Sequence, residues 1–147
     1  MTEDPMTKTP KIGESAKLTV TVSQDMTAAR FAADANERFP EVLATPCLVA
    51  DLERACAILL EGQLGDGELS VGAVIEIKHV APTGVGGTYE CRAIFSQKDG
   101  PLLWFDVEAH DAAGLIGKGR IARAIVNEQA ILSRAKESLS NQPEAGN

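Results

Sequence analysis

The chain has 147 residues, a formal net charge of −7, 44% hydrophobic residues and 24% charged residues. This length supports one domain around one core, and the composition is that of an ordinary globular protein. The acidic balance disfavours a broad nucleic-acid surface, which needs clustered Lys and Arg. The longest apolar run, Ala55 to Leu60, is too short to cross a bilayer.

Residues 1–13 are rich in Thr, Pro, Lys and Glu and read as an N-terminal tail with little order of its own. Glu3 and Asp4, with no apolar stretch beside them, do not resemble a secretory leader. Leu18–Val22 alternates and is rich in β-branched residues, which predicts a strand. Asp25–Asn36 is Ala-rich and fits a short helix with Asp25 or Thr27 as its cap. Thr45-Pro46 opens the strongest helix, with Thr as the expected N-cap and Pro at the first helical position. Its body, Cys47–Leu60, is apolar on most sides, so it is expected to be buried. The glycines at 62, 65 and 67 end it. Four strand-like segments follow at Val71–Val80, Thr88–Gln97, Leu102–His110 and Leu115–Asn127, joined by short turns that favour antiparallel pairing. Glu128–Glu137 fits a strand end or a helical extension, and 137–147 reads as a second tail of little order.

One long apolar helix followed by four strands must be covered on several sides. A curved antiparallel sheet of about five strands wrapped around that helix would do this. The expected fold is therefore α+β, a hotdog fold spanning 14–136 as a single domain. Cys47, Cys56 and Cys91 are an odd set, lie in apolar segments and include no C-x-x-C, so they read as reduced thiols of a cytoplasmic protein. With no His pair at helical spacing either, no metal site is expected.

Three side chains stand out as chemistry. Thr45 places a hydroxyl at a helix N-terminus, where partial positive charge favours an oxyanion, although Pro46 removes one N–H donor. Glu53 lies a little over two turns further on. Its neighbours at three and four residues, Val49, Ala50, Cys56 and Ala57, cannot pair with it, while Asp51 and Arg54 suit each other at i,i+3. Spacing alone weighs a solvated Glu53 equally against one that moves a proton from a partly desolvated site. His79 shares strand parity with Ile75 and Ile77 and is aimed at the helix, where a satisfied core histidine is the common role. His110 has the polar parity of its strand. Gly72 permits close backbone approach. Arg123 alternates with Ile121 and Ile125, so an inward guanidinium requires an anion there.

These residues carry a resemblance. Phe39-Pro-Glu-Val with Ala44-Thr45, Leu52-Glu53-x-Ala55-Cys56, Ser70-Val-Gly72 with His79, Ala109-His110-Asp111, and Ile116-Gly-x-Gly119 with Arg123-Ala124 are similar, at nearly gapless spacing, to the fluoroacetyl-CoA thioesterase branch of the hotdog-fold acyl-CoA thioesterases. The resemblance implies hydrolysis of a small acyl-CoA at Thr45, Glu53 and His79, with Gly72 beside the acyl group and Arg123 as the late-strand arginine. It implies no cofactor, and a homodimer, open to pairing into a tetramer, with sites at the subunit interface, so that Thr45 and His79 need not meet within one chain. Asn36, Phe39, Leu43 and Cys47 are the expected acyl-pocket lining. Two departures argue against transferring fluoroacetyl selectivity. Asn36 stands where the family's lid has a second phenylalanine, and Pro46-Cys47 replace a glycine and an aromatic residue. Thr45, Glu53 and His79 can each serve as nucleophile, base or orienter. The same scaffold also suits dehydration of a hydroxyacyl thioester, or acyl-CoA binding without catalysis. An interaction protein fits less well with three reactive side chains at the family's spacing.

Overall fold

The computed structural model describes residues 9–143. Its elements in chain order are β1 (Ser15–Thr21), 3₁₀ turns at Gln24–Met26 and Ala28–Phe31, α1 (Thr45–Leu60), a 3₁₀ turn at Glu61–Gln63, β2 (Glu68–His79), β3 (Thr88–Asp99), β4 (Leu102–Asp111), β5 (Gly114–Asn127) and α2 (Glu128–Ser140). The five strands form one antiparallel sheet in the order β1-β3-β4-β5-β2. Gly100 and Gly114 take positive φ at the tight β3–β4 and β4–β5 turns, a conformation that glycine adopts without a Cβ penalty.

The core explains the shape. α1 buries Leu48, Leu52, Ala55, Cys56, Leu59 and Leu60 along one broad stripe, and it touches all five strands. Five strands span about 19 Å at ordinary spacing, wider than a helix of about 10 Å. One helix can reach every strand only if the sheet curls around it. This is the α+β hotdog arrangement that the sequence predicts.

Several local expectations change. The predicted helix at Asp25–Asn36 is two short 3₁₀ turns. Thr45 is not the N-cap of α1: Ala44 is, with extended backbone, and Cys47 and Leu48 both donate to its carbonyl. The Thr45 hydroxyl is thereby released from capping. α2 runs through Ser140, into the stretch assigned above to a C-terminal tail. At the other end, residues 9–14 are tied down, with Gly13 N–H on the Phe95 carbonyl and Phe95 N–H on that of Glu14. Residues 1–8 and 144–147 of the two expected tails lie outside the described residues. No described helix is long and apolar enough to cross a membrane.

A bulge between Gly72 and Val74 adds one residue to β2. Counted strictly by alternation, Gly72 would face away from Ile75, Ile77 and His79. The extra residue, Ala73, returns Gly72 to their face. Opposite this row lie Arg123, Ile121, Gly119 and Gly117. The two glycines allow close approach. A Cβ at Gly119 would overlap the Glu76 carbonyl, and one at Gly117 would lie 2.9 Å from Leu48 Cδ2. Because backbone cannot swing aside as a side chain can, Gly119→Ala is expected to lower the unfolding free energy by about 2 kcal/mol or more. Gly62→Ala, with nothing within 4 Å, is expected to stay within about 0.5 kcal/mol. Urea unfolding of both variants measures the contrast.

Candidate active site

The release of Thr45 from capping has a chemical consequence. Its Oγ1 lies 2.8 Å from His79 Nδ1. α1 supplies the hydroxyl from its first residue, and β2 supplies the imidazole from its last. The two meet within one chain. The other ring nitrogen, Nε2, is buried and has no protein partner. Burial lowers the imidazole pKa, with a smaller opposing effect from the backbone of Ala81, so the neutral form is favoured. A neutral imidazole on a hydroxyl can accept its proton.

Glu53 belongs to a second cluster. Its Oε1 accepts from Arg123 Nη1 at 3.3 Å. Arg123, 9% exposed, also donates Nη2 to the Ser70 carbonyl at 2.9 Å and both Nε and Nη2 to Ser70 Oγ at 3.2 Å. The inward guanidinium has therefore found its anion, and Glu53, which helical spacing leaves unpaired, is paired from α1 to β5. Gly72 makes room for this: a Cβ there would overlap Glu53 Oε1. Asp51 pairs with Arg54 at 3.2 Å as expected and also accepts from the buried Tyr89 hydroxyl.

Two clefts open beside Thr45. One of about 370 Å³ is lined by Leu43, Thr45, His79 and the loop residues Val80, Ala81 and Pro82, among others. The other, about 290 Å³, is lined by Ala28, Phe31, Phe39, Ala44, Thr45 and Pro46. Leu43 and Phe39 thus fall on different clefts. Asn36 and Cys47 line neither. Asn36 sits in a surface turn with its N–H on the Asp34 carboxylate, and Cys47 packs half-buried against the core. Phe31 escapes sequence reasoning, and so does the tie of Ser70 to Arg123. An exposed phenylalanine after an Ala-rich stretch carries no spacing signal, whereas Ser70 stands next to the Val71-Gly72 pair and was visible there. His110 is exposed, as its parity predicts.

Comparison with known proteins shows the family. A family described as fluoroacetyl-CoA-specific thioesterase matches residues 22–129. The fluoroacetyl-CoA thioesterase of Streptantibioticus cattleyicolor is 33% identical over 99 residues, 67% of this chain and 71% of that protein. A solved structure of a variant of the fluoroacetyl-CoA enzyme with acetyl-CoA has a TM-score of 0.82 at 28% identity, covering 87% of this chain and 98% of that one. A hot-dog-like protein from Thermanaerovibrio acidaminovorans shares the fold at a TM-score of 0.75 and 19% identity, over 92% of this chain and 94% of that one.

The imidazole yields an expected pH dependence. A pKa depressed below 6.5 keeps His79 neutral down to lower pH than a free imidazole. The fold therefore binds this proton less well than the unfolded chain does. The group's contribution to stability is full above the unfolded value and declines as pH falls through the folded one. If neutral His79 is the working form, the acid limb of kcat/KM lies below pH 6.5. An NMR titration of its ring should match that limb, and His79 titrating at or above the ordinary value would contradict it.

Proposed function

The chain belongs to the fluoroacetyl-CoA-specific thioesterase family and is an acyl-CoA thioesterase, and we propose that it hydrolyses a small acyl-CoA at Thr45 and His79, with Glu53 of a second copy completing the site. The observation that carries this reading is the 2.8 Å contact between Thr45 Oγ1 and His79 Nδ1 at the meeting of two clefts. One cleft would take the acyl group and the other the pantetheine arm, so that the thioester carbonyl lies over the hydroxyl.

In this mechanism Thr45 Oγ adds to the carbonyl carbon as its proton passes to His79 Nδ1. Collapse of the adduct breaks the C–S bond, and the imidazolium returns the proton to the departing thiolate. Water, deprotonated by the same imidazole, then cleaves the acyl-threonine to release the free acid.

Within one chain Glu53 is held by Arg123, about 12 Å along the helix axis from Thr45. A homodimer resolves this. β2 is a 12-residue edge strand with one side unpaired, a template for a second strand. Ile75 faces the inner side yet is 42% exposed, an apolar surface beside that edge. Both features favour a second copy lying along β2, which would bring its Glu53–Arg123 pair towards this site. The three free thiols, with Cys56 and Cys91 both pushed up to about 12 by burial, suit a reducing cytoplasm.

Free-thiol release from a panel of short acyl-CoAs tests the activity. Wild type should release thiol, and His79→Ala should lose about 100-fold or more in kcat. Release of product without free thiol would indicate dehydratase chemistry, and tight binding without turnover would indicate a sensing domain. Subunit mixing tests the shared site. Thr45→Ala and Glu53→Ala should each be inactive alone, and co-refolded together they should recover about one quarter of wild-type turnover, because half the dimers are mixed and each mixed dimer has one intact site. No recovery would place the whole site within one chain.

A further inference from the structure

The Thr45–His79 contact joins two segments that no strand ladder links directly. Thr45 follows the irregular stretch ending at Ala44, and His79 leads straight into the loop of residues 80–87. What holds these backbones together also sets the distance between hydroxyl and imidazole. At its base the loop is fixed by Val80 and Ala81, whose N–H groups donate to the Ile116 carbonyl at 2.8 and 3.3 Å. Further along stands Thr83, 3% exposed. Its Oγ1 donates to Asp111 Oδ2 at 2.8 Å, and Asp111 Oδ1 accepts from Ala113 N–H at 2.8 Å across the β4–β5 turn. The Thr83 carbonyl accepts from the Leu43 N–H at 2.8 Å, and Val42 and Gly84 form an isolated bridge alongside. Leu43 is two residues before Thr45.

Thr83 therefore touches both sides of the reacting pair. Its backbone grips the segment that delivers the hydroxyl, and its own chain continues from the segment that delivers the imidazole. Its side chain fastens both to the β4–β5 hairpin. The Asp111 carboxyl is held below the usual carboxylate range, chiefly by the Thr83 hydrogen bond and next by Ala113 N–H, so it is an ionised acceptor at neutral pH. The Thr83 methyl is also in place: a Cβ at Gly87 would lie 2.9 Å from Thr83 Cγ2, so only glycine at 87 lets the loop close over it.

We propose that Thr83 and Asp111 are positioning residues for the thioesterase reaction, latching the loop of residues 80–87 and the stretch before α1 to one hairpin so that the Thr45 hydroxyl stays on His79. This rests on the hydrolytic reading above. Neither residue touches the reacting atoms. Their effect should fall on kcat more than on KM, since a displaced nucleophile slows attack without emptying the clefts.

The test uses the full chain with Thr83→Val, Thr83→Ser and Asp111→Asn. Valine keeps the methyl contact and removes only the hydroxyl; serine keeps the hydroxyl. Thr83→Val is expected to lower kcat about 10-fold with KM within about 2-fold. It should also raise the NMR titration of His79 towards its ordinary value, as the loosened loop admits water. The protein has only two histidines, so the signals separate readily. Thr83→Ser should retain both properties, and Asp111→Asn should move both in the direction of Thr83→Val. A folded Thr83→Val with wild-type kcat and an unmoved His79 titration overturns the proposal. If that variant does not fold, Asp111→Asn decides by the same two readings. Should wild type release no thiol from any acyl-CoA, the hydrolytic reading fails, and the His79 titration alone still decides whether Thr83 and Asp111 set its environment.

Discussion

The rise of one helix governs the arrangement of the chemistry. Thr45 and Glu53 share α1, eight residues apart, which separates them by about 12 Å along the axis. Across that gap Glu53 is turned to Arg123. The fold instead builds two polar stations under one curled sheet. At the first, a hydroxyl meets an imidazole whose second nitrogen is buried and unsatisfied. At the second, a carboxylate meets a guanidinium that three hydrogen bonds to Ser70 hold in place. Within one chain the two stations stay separate.

Both stations depend on the sheet closing tightly around α1, and small residues permit this. Gly72 leaves space for the Glu53 carboxylate, Gly117 for Leu48, and Gly119 for the neighbouring strand's carbonyl. The β2 bulge has the same purpose. By inserting Ala73 it places Gly72 and Ser70 on the inner face together with Ile77 and His79. The polar atoms that Glu53 and Arg123 require are then delivered by the strand that also carries the imidazole. A buried guanidinium is costly unless its donors are occupied, and here Ser70 supplies both a hydroxyl and a carbonyl.

Much of this was legible in the chain. Alternation gave the strands, the apolar run from Cys47 to Leu60 gave the buried helix, and Arg123, placed among isoleucines, demanded an anion. Thr45, Glu53 and His79 stood out because each is a reactive group in an otherwise apolar setting. What remained illegible was long-range. Helical spacing left Glu53 without a partner because its partner lies 70 residues away. Alternation cannot show that Gly72 faces inward, because a bulge leaves no mark in a Val-Gly-Ala-Val string. Propensity chose Thr45 as the N-cap over Ala44 because a hydroxyl usually wins that position, and tertiary structure reversed the choice by offering the hydroxyl an imidazole instead.

That reversal bears on where the oxyanion of a thioester adduct would be held. A helix N-terminus is a ready donor site only while its first N–H groups are free. In α1, Pro46 has none, and Cys47 and Leu48 both donate to the Ala44 carbonyl. The first turn therefore offers a developing negative charge little beyond the Thr45 amide. The helix dipole still favours that charge, but two directed hydrogen bonds, the usual provision for a tetrahedral adduct, are not available from this turn alone. The second donor has to come from outside α1, either from the loop after His79 or across the β2 edge. In both cases the proposed site needs a surface that α1 does not provide, and the distance between Thr45 and Glu53 along the helix points the same way.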